Sequence, residues 1–235
     1  MVAQGLEKRM AFNRILKTYS QKLRQKRGNF RASESTLKSI VAIENTTNYE
    51  FPLLTTETNN GKAIRTEEIR LSTNDDFVVT EHGLFLYGYY EAEKNNQATR
   101  EYFALSYVPI ELGAASQLSA LYNGIMEVSI NNDIILKGYD TNKFNRITRE
   151  QFEDKINSGE ALTTQPTVDY TKLINIEPNL NLSGAKTNKI KITLPKVIQP
   201  FNYEKIFNQN DIIVIDSIMY LARGILIQNV ASFQK

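Results

Sequence analysis

The sequence predicts a mainly β chain, folded as an antiparallel sandwich and preceded by one basic amphipathic helix. Short runs of alternating apolar residues recur along residues 35–235, and turn residues separate them at intervals of roughly 8–12 positions. The long helical patterns that would alternate with strands in a parallel sheet are missing between them. Leu118–Phe144 shows the pattern best. Ile125, Glu127 and Ser129 fall on one side of a strand and Met126, Val128 and Ile130 on the other. Asn131-Asn132 tolerates the positive φ angles of a two-residue hairpin, so Asp133–Leu136 can return as the partner strand.

In chain order, residues 5–27 read as one helix stopped by Gly28, and Asn29–Glu34 as a polar hinge. The β pattern begins at Leu37 and continues through residues 48–54, where Pro52 suggests an edge strand or a strand end. A turn at residues 59–61, a strand over 63–71 and a turn at 72–76 follow. FVVT, EHGLFLYGYY and TREYFALSYV are then expected as strands, with a polar loop at Glu93–Ala98. Residues 110–122 are rich in small side chains and suggest a short helix over one end of the sheet. Residues 141–186 are the least regular part, broken by Pro166 and Pro178. Alternation returns at Lys189–Leu194, and residues 211–230 suggest two apolar strands buried on both faces. About ten strands result. They suit a jelly-roll β-sandwich, either two small tandem rolls divided near 139–141 or one elaborated roll, behind an arm of residues 1–34.

A hydrophobic content of 41% with 23% charged residues is that of an ordinary globular chain with a real core. No cysteine is present and His82 is the single histidine, which excludes disulfides and the usual zinc constellations. No apolar run reaches the length of a membrane-spanning helix, and no signal peptide is legible, so residence inside a cell is expected.

The net charge of +2 conceals an asymmetry. Residues 1–31 hold Lys8, Arg9, Arg14, Lys17, Lys22, Arg24, Lys26, Arg27 and Arg31 against one acid, Glu7, a net +8. The other 204 residues carry 19 basic and 25 acidic side chains, a net −6. Phe12, Leu16, Tyr19 and Leu23 form a narrow apolar stripe on the same helix. Such a helix can pack on the body with a solvated basic face, meet nucleic acid or anionic lipid, or serve as a calmodulin-type target. Its scarcity of acids favours an anionic partner.

Catalytic patterns are sparse. GxSxG, HExxH and a phosphate-cradling glycine loop are all missing. His82 lacks a partner group in the sequence and is expected at the surface or in a turn. Glu67, Glu68, Asp75, Asp76, Glu81, Glu91 and Glu93 could supply a glycosidase pair, but an acidic sandwich supplies such pairs by chance. Tyr87, Tyr89, Tyr90, Tyr102 and Tyr107 could form a sugar-stacking face, although core or subunit contact is the commoner use of clustered tyrosines. No catalytic residue, metal or cofactor is expected.

Three stretches carry a resemblance: Arg65–Gly88, Leu121–Phe144 and Glu177–Pro195. Together they resemble the jelly-roll major capsid proteins of small tailless icosahedral bacteriophages, including those with an internal membrane. The YNG leading into a strand and the L-x-G before an I-x-I-x-L-P strand carry most of the likeness. The resemblance implies a structural virion protein, made in the host cytoplasm and assembled as homotrimeric capsomers in an icosahedral shell with other capsid proteins. It also implies that the N-terminal arm reaches inward to membrane or genome. Residues 112–121 and 141–186 are then expected at subunit contacts. The alternative is a carbohydrate- or receptor-binding β-sandwich, such as a spike or penton component.

Overall fold

The computed structural model describes residues 31–53, 71–91, 100–106, 115–145, 172–204 and 212–228, with Met10, residues 13–15, Lys17 and Gln21 of the arm. Ten strands are described. They are β1 (Arg31–Ala42), β2 (Asn48–Leu53), β3 (Asp76–Glu91), β4 (Arg100–Leu105), β5 (Ile125–Ile130), β6 (Asp133–Asp140), β7 (Ile174–Ser183), β8 (Asn188–Thr193), β9 (Phe201–Glu204) and β10 (Ile212–Gln228). They form two antiparallel sheets packed as a sandwich.

The larger sheet is built on β3 and β10, which pair along almost their whole length. On the free side of β10, β1 covers Ser217–Gln228 and β9 covers Ile212–Ile215. On the free side of β3, β7 covers Asp76–His82 and β4 covers Leu86–Glu91. The smaller sheet has the order β2-β8-β5-β6. Strands from both sides of residues 139–141 are therefore partners in the larger sheet, and one apolar cluster from Leu37 to Ala222 fills the space between the sheets.

Several local expectations change. FVVT and EHGLFLYGYY are one strand of 16 residues, and the C-terminal pair is one strand of 17 residues. Bulges take the place of turns: the β3–β10 register shifts between Ile215 and Ser217 and between Arg223 and Gly224. Gly224 makes the second crossing possible, since a Cβ there would lie 2.0 Å from the Val78 carbonyl oxygen. The hinge expected at 29–34 gives way to sheet from Arg31 onward, because β10 extends far enough to pair Arg31–Glu34. Polar residues accept strand conformation when a partner's ladder is present.

In the irregular region, β7 runs through Pro178. Between Leu180 and Asn175 the ladder to β3 is interrupted, and Pro178, which has no N–H to donate, falls in that gap. Pro52 lies on β2, an edge strand, as expected. The small-residue segment holds a four-residue helix, Ala115–Leu118, and a 3-10 turn, Ser119–Asn123. Leu118, Ala120 and Leu121 are buried in the chain's own core, and Gln117 is exposed. The turn at 59–61, the loop at Glu93–Ala98 and the strand over 63–70 lie outside the described residues. Leu71 is described, and it is buried in the core.

Candidate functional site

The two outer faces of the sandwich differ in chemistry. On the smaller sheet the outward row at the centre is charged, while Ile125 of β5 is 52% exposed beside it and Ile134 and Ile135 are exposed on β6. Glu50, Lys191 and Glu127 sit opposite one another across β2, β8 and β5. Lys189 pairs with Glu50 at 3.7 Å. Alternating signs in such a row suit a solvated face and add little stability.

The outer face of the larger sheet is apolar at both ends. Ile40, Phe85, Tyr87, Met219 and Leu221 form one buried cluster, with Ala104 and Leu173 packed against it. Val78, Ile225 and Ile227 form another, joined by Ala32 and by Ile15 from the arm. Between them runs a charged belt. Arg223 is ion-paired with Glu34 and approaches Glu81 at 3.7 Å.

Beyond the first cluster lies the tyrosine ladder. Register places Tyr87 opposite Ala104, Tyr89 opposite Tyr102 and Glu91 opposite Arg100. Tyr87 and Tyr102 stack at 5.7 Å, and Tyr89 meets Tyr102 edge-on at 5.8 Å. Arg100 lies 4.3 Å over the Tyr89 ring and bonds Glu91 at 2.8 Å, while Lys38 lies over Tyr87. The sequence thus brought the right tyrosines together, yet their faces are already engaged with one another and with cations. The Tyr90 side chain and Tyr107 lie outside the described residues.

His82 is not at the surface. It is fully buried on the inner face of β3, between Tyr220 of β10 and Tyr139 of β6. Nδ1 lies 3.2 Å from the Tyr220 hydroxyl and Nε2 3.3 Å from that of Tyr139. One ring nitrogen carries the proton and donates to one hydroxyl, and the other accepts from the second. The Phe144 ring packs edge-on at 4.8 Å. Burial, aided by the Lys143 charge, pushes the imidazole pKa down to about 3. The ring is therefore a neutral link between the two sheets. The signal was present in the sequence: His82, Leu84 and Leu86 share one phase of the strand alternation.

Next to it, Thr141 closes the turn after β6. Its Oγ1 accepts from the Gly124 N–H at 2.8 Å and donates to the Leu121 carbonyl at 2.8 Å. The Asp140 side chain caps that turn by accepting from the Asn142 N–H at 2.8 Å. Among the described residues, no group of three or more His, Asp or Glu side chains is placed to hold a metal ion.

Of the nine cationic positions singled out in the arm, Arg14, Lys17 and Arg31 are described, and all three are exposed. Arg31 opens β1 opposite Gln228. Lys8, Arg9, Lys22, Arg24, Lys26 and Arg27 lie outside the described residues. Met10, Asn13–Ile15, Lys17 and Gln21 have helical backbone, and the rest of the helix expected over 5–27 lies outside the described residues. The periodicity missed Ile15, which stands beside the predicted stripe rather than in it and, among the described arm residues, is buried against the body.

These faces define an antiparallel β-sandwich with a charged row on one outer face and, on the other, apolar clusters that include Ile15 of the arm. A scan of protein-family models, a search of curated proteins and a search of solved structures each found no match to this chain.

Proposed function

We propose that this chain is a structural shell protein, a bacteriophage capsid component that self-assembles through its β body and turns its N-terminal arm toward the shell interior. The sidedness of the sandwich carries this reading. A shell subunit must present different chemistry to its two sides: Ile15 of the basic arm packs on the apolar outer face of the larger sheet, while the smaller sheet carries the charged row Glu50, Lys191 and Glu127. The strand orders β1-β10-β3-β7 and β2-β8-β5-β6 support a single jelly roll, with β4 and β9 as extensions at one end. Jelly rolls also serve as lectin and cupin domains, so the fold alone does not choose among them. The resemblance noted in the sequence adds to the capsid reading.

Lateral contacts have a candidate in β6. Ile134 and Ile135 are 54% and 55% exposed on this edge strand, and adjacent exposed isoleucines are suited to a partner surface.

A second reading, a glycan- or receptor-binding module, draws on Tyr102, which is 36% exposed on the outer face. The engaged tyrosine faces weigh against it.

Light scattering with negative-stain imaging of the purified chain tests the proposal. Trimers or closed particles are expected. A chain that stays monomeric across its accessible concentration range, with nucleic acid present as well as without, would overturn the shell reading. Saturable binding to a glycan array by such a monomer would establish the second.

A further inference from the structure

Asn123-Gly124 joins the 3-10 turn Ser119–Asn123 to β5. Asparagine before glycine is especially prone to deamidation, because glycine has no Cβ to shield its own nitrogen. That nitrogen, once deprotonated, attacks Cγ of the asparagine. The N–Cγ bond forms, and the side-chain nitrogen leaves as ammonia. Water then opens the succinimide at either carbonyl, giving aspartate or isoaspartate. The net change is amide plus water to acid plus ammonia, with no other reactant.

The fold requires this dipeptide to keep its glycine. A Cβ on Gly124 would lie 2.7 Å from the Thr193 carbonyl oxygen and 2.9 Å from Leu194 Cδ2, where β5 sets out beside the end of β8. The fold also restrains both reacting groups. Asn123 is exposed, but its Nδ2 donates to the Ser119 carbonyl at 3.0 Å, which ties the side chain back over its own turn. Gly124 is buried, and its N–H donates to Thr141 Oγ1 at 2.8 Å. The proton in that bond must leave before the nitrogen can attack, and a buried, hydrogen-bonded N–H retains it. Thr141 is held in turn, since its N–H donates to the Gly124 carbonyl at 3.0 Å and its Oγ1 to the Leu121 carbonyl at 2.8 Å.

We infer that Asn123-Gly124 is a latent deamidation site, kept closed by Thr141, which guards the Gly124 nitrogen. Conversion there is damaging as well as irreversible. Isoaspartate adds one carbon to the backbone where Gly124 already sits against the Thr193 carbonyl. The guard goes beyond the shell reading and does not rest on it.

The test incubates the full chain in mildly alkaline buffer, folded and in denaturing urea, and follows conversion by peptide mass mapping. Trypsin places Asn123 in the peptide Glu101–Lys137, apart from Asn60, which also precedes glycine, and fragmentation separates it from Asn131 and Asn132. Asn123 should convert in urea, and at least about tenfold more slowly in the folded chain. T141V removes the acceptor of the Gly124 N–H and should speed conversion of the folded chain by about 5- to 150-fold. T141S keeps the hydroxyl and should stay close to the unaltered rate. I225V weakens the core on the outer face of the larger sheet with the guard intact, and should leave the rate unchanged. Three results would each overturn the inference: folded chain converting as fast as chain in urea, T141V no faster than the unaltered chain, or equal acceleration by I225V.

Discussion

His82 and Thr141 are single polar residues in an apolar interior, and each is kept there by complete hydrogen bonding. For His82 the consequence is a dependence on pH. Its folded pKa, about 3, lies below the ordinary 6.5, so the unfolded chain binds a proton that the folded chain refuses. The neutral ring's contribution is present in full above pH 6.5 and is lost as pH falls toward 3, by at most about 5 kcal/mol. Urea midpoints should therefore drop between pH 7 and pH 4. H82Q should be about 1–3 kcal/mol less stable at pH 7, since one tyrosine hydroxyl loses its partner, and should show a flatter pH profile. An equal acid sensitivity in H82Q would show that other groups control the loss. Thr141→Val keeps the shape but strands the Gly124 N–H and the Leu121 carbonyl. Thermal melts should report a loss of about 1–3 kcal/mol.

At the scale of elements, two glycines separate conformation from space. Gly138 has φ +72° beside a register shift in β6, and an added Cβ there would meet nothing within 4 Å. Gly138→Ala should cost about 1–2 kcal/mol, from backbone strain alone. Gly224 is the opposite case, where the obstacle is the Val78 carbonyl of the neighbouring strand. Gly224→Ala must part β10 from β3 at the centre of the larger sheet, and should cost more than about 3 kcal/mol or prevent folding. Chemical denaturation of the two variants ranks them directly, and equal losses would mean that the strands separate easily. The hairpin at Asn131-Asn132 follows from residue type alone, with φ of 50° and 69°, and it was legible in the sequence. The lengths of β3 and β10 were not, because a bulge carries a strand onward where local reading sees a stop.

The whole molecule is a sandwich whose two outer faces differ in chemistry. If the exposed edge of β6 makes shell contacts, I134K/I135K should leave the unfolding midpoint of the isolated chain nearly unchanged, within about 0.5 kcal/mol, and should abolish particles. Particles that form normally would remove β6 from the assembly surface.

The sequence by itself determined the β class, most strand positions, the hairpin and the charge contrast between arm and body. Each of these rests on residue type and on period along the chain, which are local properties. The tertiary structure decided which strands are neighbours and where His82 lies. It also decided that β1 begins at Arg31 and that Ile15 fastens the arm. These depend on contacts between residues far apart in sequence, such as Arg31 with Gln228 and Ile15 with Ile227, for which a periodic pattern carries no address.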